Sequence, residues 1–140
     1  MSSALTRLAH ELRVANPKED SVAHYVDGYV LPVPKKNVEA YRRLARQAAK
    51  VWRKHGALEY RECVGDDLKN RWGKSFPRQI KTKPGETVVF SWIVFKSRAH
   101  RDRVNAKVMK DPSVANMAPE SMPFDMKRML YGGFKEIVEA

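Results

Sequence analysis

A single cysteine, Cys63, stands among 140 residues. No internal disulfide can form, and a reducing, cytoplasmic setting is the expectation. Long hydrophobic runs are missing too. The longest, within "TVVFSWIVF", falls well short of the roughly 20 residues a membrane-crossing helix needs, so no membrane partner is expected. The opening "MSSALTRLAHELRVANPKED" lacks the continuous apolar centre of a secretory signal. Acidic residues are scarce beside basic ones: 16 Asp plus Glu face 27 Lys plus Arg, for a net charge of +11. That excess favours anionic partners, whether nucleic acid, phosphorylated metabolites or acidic lipid, without choosing among them. No phosphate-cradling loop or dinucleotide fingerprint occurs. The four histidines, His10, His24, His55 and His100, show no local metal-ligand spacing. The expectation is therefore no metal and no cofactor.

What is present is enough apolar content, 43%, to bury a core. Residues 1–20 read as an appendage, an amphipathic stretch (Leu5, Leu8, Ala9, Leu12) stopped by Asn16-Pro17, and residues 21–140 as one domain. "HYVDGYVLPVP" predicts a first strand. Asn37 is placed to cap a helix whose apolar stripe runs Val38, Tyr41, Leu44, Ala45, Ala48, Val51, Trp52 and His55, with Gly56 as its stop. "ALEYRECV" predicts a second strand, followed by a long basic loop broken by Gly and Pro. The third strand spans about Glu86 to Lys96. Ser97 then caps a second helix that ends before Asp111-Pro112, and "FDMKRMLYGGFKEIVEA" supplies a fourth strand. In it, Gly132-Gly133 marks a bulge or a close backbone approach. The order β-α-β-β-α-β implies an α+β, ferredoxin-like sandwich with one antiparallel sheet and both helices on one face.

The third strand is apolar on both sides: Phe90, Trp92 and Val94 alternate with Val89, Ile93 and Phe95. Helices cover one face only, so the other needs a cover. Burying one Phe or Trp is worth about 2–3 kcal/mol, and a second copy packed sheet to sheet is the economical solution. The rival is the N-terminal segment folded back.

The chemistry-bearing candidates cluster near the second helix. Arg101, Val104, Asn105 and Val108 share a helix face, and the valines turn that face inward. Arg101 and Asn105 then either pair with protein groups, Glu62 being the partner in view, or line a pocket. There the Arg101 fork would anchor a small anionic organic molecule and Asn105 would orient it. His100, Tyr60, Glu62 and Trp92 are further wall candidates. Trp52 reads as core, His55 as a cation at a helix end, and Cys63 as a small buried hydrophobe. Met109, Met117, Met122, Met126 and Met129 crowd one segment and read as adaptable packing or as a soft lid over the pocket. Arg43, Arg46, Lys50 and Arg53 form an outer basic stripe. Lys69, Arg71, Lys74, Arg78, Lys81 and Lys83 crowd the long loop around Trp72 and Phe76. Basic and aromatic residues together suit single-stranded nucleic acid, but no recognisable nucleic-acid module accompanies them. Nucleic-acid binding, or a purely structural or partner-binding dimer, stands as the alternative to a small-molecule pocket.

Three blocks carry a family resemblance: "YVDGYVLPVPKKNVEAYRRLARQAAKVWRKHGALEYRECVGDD", "SFPRQIKTKPGETVVFSWIVFKSRAHRDRVNAKVMKDP" and "MPFDMKRMLYGGFKEIV". Across residues 25–138 the chain resembles the YbaA-like family of small bacterial proteins, a domain of unknown function placed among the dimeric α+β barrels. The resemblance implies a sheet-to-sheet homodimer and brings no established activity. Were the protein an enzyme, cofactor-free proton transfer or oxygen chemistry would be the classes in view, by fold-level analogy alone.

Overall fold

The computed structural model describes residues 23–140, the side chain of Pro119 excepted. The predicted appendage 1–20 lies outside them. Four strands form one antiparallel sheet: β1 (Tyr25–Pro34), β2 (Glu59–Val64), β3 (Glu86–Phe95) and β4 (Leu130–Lys135), in the spatial order β2-β3-β1-β4. β1 pairs with β3 along its whole length, Tyr25 opposite Phe95 and Pro34 opposite Glu86. Four helices join them: α1 (Val38–Lys54), α2 (Phe76–Gln79), α3 (Arg98–Lys110) and α4 (Pro112–Ala115). No helix among the described residues is long and apolar enough to cross a membrane.

Alternation along the strands sorts the residues. Ile93 and Phe95 of β3 pack with Val51 of α1 and with Val104 and Val108 of α3 in one cluster. Leu31, Val33 and Val89 pack under Tyr41 and Ala45 of α1 in a second. Both long helices therefore lie on the same face of the sheet. Ser97 caps α3 as the sequence predicts, its hydroxyl accepting from the His100 amide at 3.1 Å. Gly56 ends α1 at φ +117°, a conformation a side chain would strain. Asn37 departs from expectation. A 3₁₀ turn (Lys35–Asn37) precedes α1 and leaves Asn37 at φ −101°, ψ 1°, with no side-chain cap. Its amide donates instead to the Pro123 carbonyl at 3.2 Å. The fourth strand is shorter than predicted because residues 126–128 form a 3₁₀ turn before it. In it, Gly133 lies under Tyr25, where any Cβ would collide with the tyrosine ring.

The opposite sheet face is also apolar, and part of it has a cover within the chain. The long segment after β2 folds back, and Ile80 and Leu68 pack on Val30 and Val88, while Phe76 meets Phe90 edge-on with ring centroids 6.1 Å apart. The sequence reading gave this segment only as a basic loop. Phe90, Leu130 and Phe134 remain exposed, Phe134 at 61%.

α3 buries only Val104 and Val108, so polar contacts complete its seat. Asp27, wholly buried on β1, accepts from Arg101 at 2.7 Å and from Asn105 at 3.4 Å. Arg101 also donates to the Tyr131 hydroxyl at 2.9 Å and lies over the Tyr25 ring. Asn105 accepts from the Trp52 indole at 3.0 Å, tying α1 to α3. Removing one partner of a buried pair leaves the other charge uncompensated, which costs about 3–5 kcal/mol. Arg101 keeps a second carboxylate, Asp102, at 2.8 Å, whereas the wholly buried Asp27 has no other guanidinium among the described residues. Arg101→Met is thus expected to lose about 3–5 kcal/mol in urea unfolding, and the double variant Asp27→Leu/Arg101→Met much less. Equal losses for the two would show that the pair is not what holds α3.

Candidate functional site

Between the two core clusters lies a cavity of about 320 Å³. Tyr29, Leu31, Ser91 and Ile93 form its floor, and Tyr41, Ala45, Ala48 and Trp52 of α1 one side. All five methionines of the 109–129 stretch line it as well. The covering segment is pinned at Pro123 and at Arg128. Asn37 holds the Pro123 carbonyl, and Arg128 makes a two-pronged bond to Glu86, both contacts at 2.7 Å. The Arg128 guanidinium holds the Glu86 carboxyl below the usual carboxylate range. Methionine suits such a wall because its unbranched, polarisable side chain refits around different shapes.

The polar focus of the cavity is Glu62. β2 alternation turns Tyr60 and Glu62 to the helix side, opposite Ile93 and Ser91 of β3. Tyr41 donates to Glu62 Oε2 at 2.5 Å and Tyr60 to Oε1 at 3.1 Å. Burial pushes the Glu62 carboxyl above its ordinary value, against the downward pull of the Tyr41, Tyr60 and Ser91 hydroxyls. Burial beside this carboxyl likewise pushes the Tyr41 and Tyr60 hydroxyls far up, so both remain protonated donors. The site is an apolar, partly open hollow with one acid held by neutral donors, able to accept or give a hydrogen bond, or a proton.

Of the predicted wall residues, Tyr60 and Glu62 line this cavity, while Arg101, Asn105, His100 and Trp92 do not. Arg101 and Asn105 are committed to Asp27. The expected partner Glu62 sits two strands away on β2. Period-two alternation along "YVDGY" places Asp27 on the helix side with Tyr25 and Tyr29, so the true partner was readable from β1. Trp92 is on the opposite face, its ring 5.5 Å from Phe90. The His100 Nδ1 accepts from the Lys96 amide at 3.0 Å. Burial, then the charges of Lys96, Arg103 and Lys107, lower its basicity; it helps close the helix start rather than sitting in solvent. His55 meets Asp111 at 2.8 Å, a firmer partner than a helix dipole. Cys63 is exposed, not buried, because β2 is the outer strand. Trp52 packs as core and lines the cavity as well. The only donor set close enough for a metal ion among the described residues is His24, Glu136 and Glu139, with ligand atoms within 4.8 Å of one another. The pairing of β1 with β4 creates it across more than a hundred residues, beyond any local spacing.

Fold and site together define an α+β sheet protein with an apolar, acid-bearing cavity beneath its first helix. A family profile described as "Protein of unknown function (DUF1428)" matches residues 24–126, and the chain belongs to that family. The "Uncharacterized protein YbaA" of Escherichia coli (strain K12) is 44% identical over 115 residues, covering 82% of this chain and 97% of that protein. The YbaA of Shigella flexneri gives the same figures. Among solved structures, the de novo designed protein Foldit4 aligns over 81% of this chain and 99% of its own with a TM-score of 0.41 and 12% identity.

The raised Glu62 carboxyl has a signed consequence. The native state holds this proton more tightly than the unfolded chain does. The group therefore favours folding below the ordinary glutamate value of about 4.3, and that contribution is lost as pH rises through the elevated native value. Glu62→Gln removes this dependence. Its melting temperature is expected to gain on the wild type as pH climbs from about 4 to about 8. Parallel melting curves across that range would contradict the assignment.

Proposed function

We propose that the protein is a ferredoxin-like homodimer that binds a small, largely apolar organic molecule in the cavity under α1. The observation that carries the binding reading is the pairing of a methionine- and aromatic-lined chamber with a single hydrogen-bonded acid, Glu62. Small-molecule sites are typically apolar concavities with a few convergent polar groups. No Lys or Arg stands among the residues lining this chamber, so the anion anchor expected at Arg101 is not part of the reading. Glu62 and the Tyr41 and Tyr60 hydroxyls fix the ligand's polar end. Residues 21–140 act as one domain, and the single, unbridged and exposed Cys63 supports a cytoplasmic setting.

The strand order β2-β3-β1-β4 with both long helices on one face supports the ferredoxin-like class. The uncovered apolar residues Phe90, Leu130 and Phe134 support a sheet-to-sheet dimer. In that arrangement the segment around Ile80 borders the interface, since it already covers one end of the sheet.

Two measurements bear on these readings. In analytical ultracentrifugation at micromolar concentration the wild type is expected to sediment as a dimer and Phe134→Lys as a folded monomer; a wild-type monomer would remove the dimer. For the cavity, 1-octanol is expected to displace Nile red and to raise the melting temperature. A ligand at about 100 times its Kd stabilises by about 2.7 kcal/mol. Ala48→Phe, which fills the chamber, should abolish both effects while keeping the far-ultraviolet circular dichroism of the wild type. Undiminished binding by that variant would place the ligand elsewhere.

A further inference from the structure

A second hollow, about 400 Å³ and, like the first, partly open to solvent, runs between α1 and the outer strand β2. Its lining includes Arg42, Arg46 and Ala49 of α1 and Cys63 and Val64 of β2. Tyr41, Ala45, Tyr60 and Glu62 belong to both hollows. They form a common wall, and the short Tyr41–Glu62 hydrogen bond lies within it. The two compartments differ in character. The inner one is lined by methionine and aromatic side chains without a cation, while the outer one carries two arginines a helical turn apart on one face.

We propose that the two compartments form one binding site for an amphiphilic monoanion, its apolar body in the methionine-lined chamber and its carboxylate-type head in the outer groove between Arg42 and Arg46. This rests on the cavity reading given above and names the ligand class for it. The wall residues explain how one molecule spans both spaces. A carboxylate head can replace Glu62 as acceptor for the Tyr41 hydroxyl, while Glu62 keeps its bond from Tyr60. The head then meets guanidinium groups, whose forked donors match a carboxylate. Among the described residues Arg42 is held by an exposed contact with Glu39 at 3.4 Å, and such surface pairs are worth little, so it can turn to a ligand. The sequence reading set Arg46 on a solvated stripe. Its place beside Ala45 on the helix puts it at the rim of the shared wall instead.

The test compares octanoate with 1-octanol, which share a chain length and differ in the charge of the head. Binding is followed by Nile red displacement from the full-length protein. Octanoate is expected to bind the wild type about tenfold more tightly than octanol, with the advantage shrinking as salt is added. In Arg42→Gln/Arg46→Gln the advantage disappears and octanol binding stays as in the wild type. Ala49→Glu, which sets a like charge in the groove, weakens octanoate alone. If the wild type binds both ligands equally, or if the arginine variant keeps the preference for octanoate, the proposed head site is wrong and the inner cavity stands. If neither ligand binds the wild type, the cavity reading falls and takes this inference with it.

Discussion

The fully buried carboxylate of Asp27 is the contact on which the layout of this protein depends. α3 brings only two buried apolar side chains to the sheet, Val104 and Val108, and two residues cannot by themselves fix a helix of 13 against a strand. An unpaired carboxylate at that depth would be penalised by several kcal/mol, so Asp27 accepts one seat for α3, the one in which Arg101 and Asn105 reach it. Asn105 passes the constraint on to α1 through the Trp52 indole. With both helices set from one point, the two apolar clusters beneath them are set as well, and the cavity is the space between them. Tyr29, which packs against both clusters, floors it.

The same sheet face carries a second acid, and the contrast between the two separates structure from function. Asp27 is met by a guanidinium and an amide, with its needs satisfied inside the fold. Glu62 is met by neutral tyrosine hydroxyls and is pushed upward by burial. A salt-bridged acid has little left to offer a ligand. An acid held by exchangeable neutral donors can trade one of them for a ligand group at small cost, since a neutral hydrogen bond nets about 1 kcal/mol. In the proposed reading the ligand's polar end therefore meets Glu62, while the Asp27–Arg101 pair serves as architecture.

Much of this was legible in the residues because it is periodic. The helix stripe from Val38 to Trp52, the stop at Gly56, the cap at Ser97 and the alternation along β3 each follow from spacing and turn chemistry, and each appears in the structure. Tyr60 and Glu62 were legible as cavity residues for the same reason. What resisted reading was pairing at a distance. Arg101 visibly needed an acid, but choosing between Asp27 and Glu62 requires the strand order, which places β1 next to β4 and leaves β2 at the far edge. Trp92 was misassigned as a wall residue although its own alternation sets it with Phe90, away from the helices. The burial expected for Cys63 failed because an outer strand leaves one side of itself to solvent. The segment after β2 read as a basic loop, since its charges outnumber the few apolar residues, Leu68, Phe76 and Ile80, that fasten it to the sheet.

The methionines draw these strands of argument together. A segment closing a cavity in a stable domain faces opposed demands: it must stay in place, and it must yield to whatever enters. Here the two tasks fall to different residues. Position is held at Pro123 by Asn37 and at Arg128 by Glu86, contacts that a ligand in the chamber would leave intact. Compliance belongs to Met117, Met122 and Met129, with the solvent-exposed Met109 and Met126 at the rim; all can change rotamer without moving the backbone. A core built only to pack would gain from branched side chains with fixed shapes, which fill space and specify one arrangement better than methionine does. Five flexible side chains around one hollow, beneath a backbone tied at Pro123 and Arg128, are what the proposed binding reading calls for.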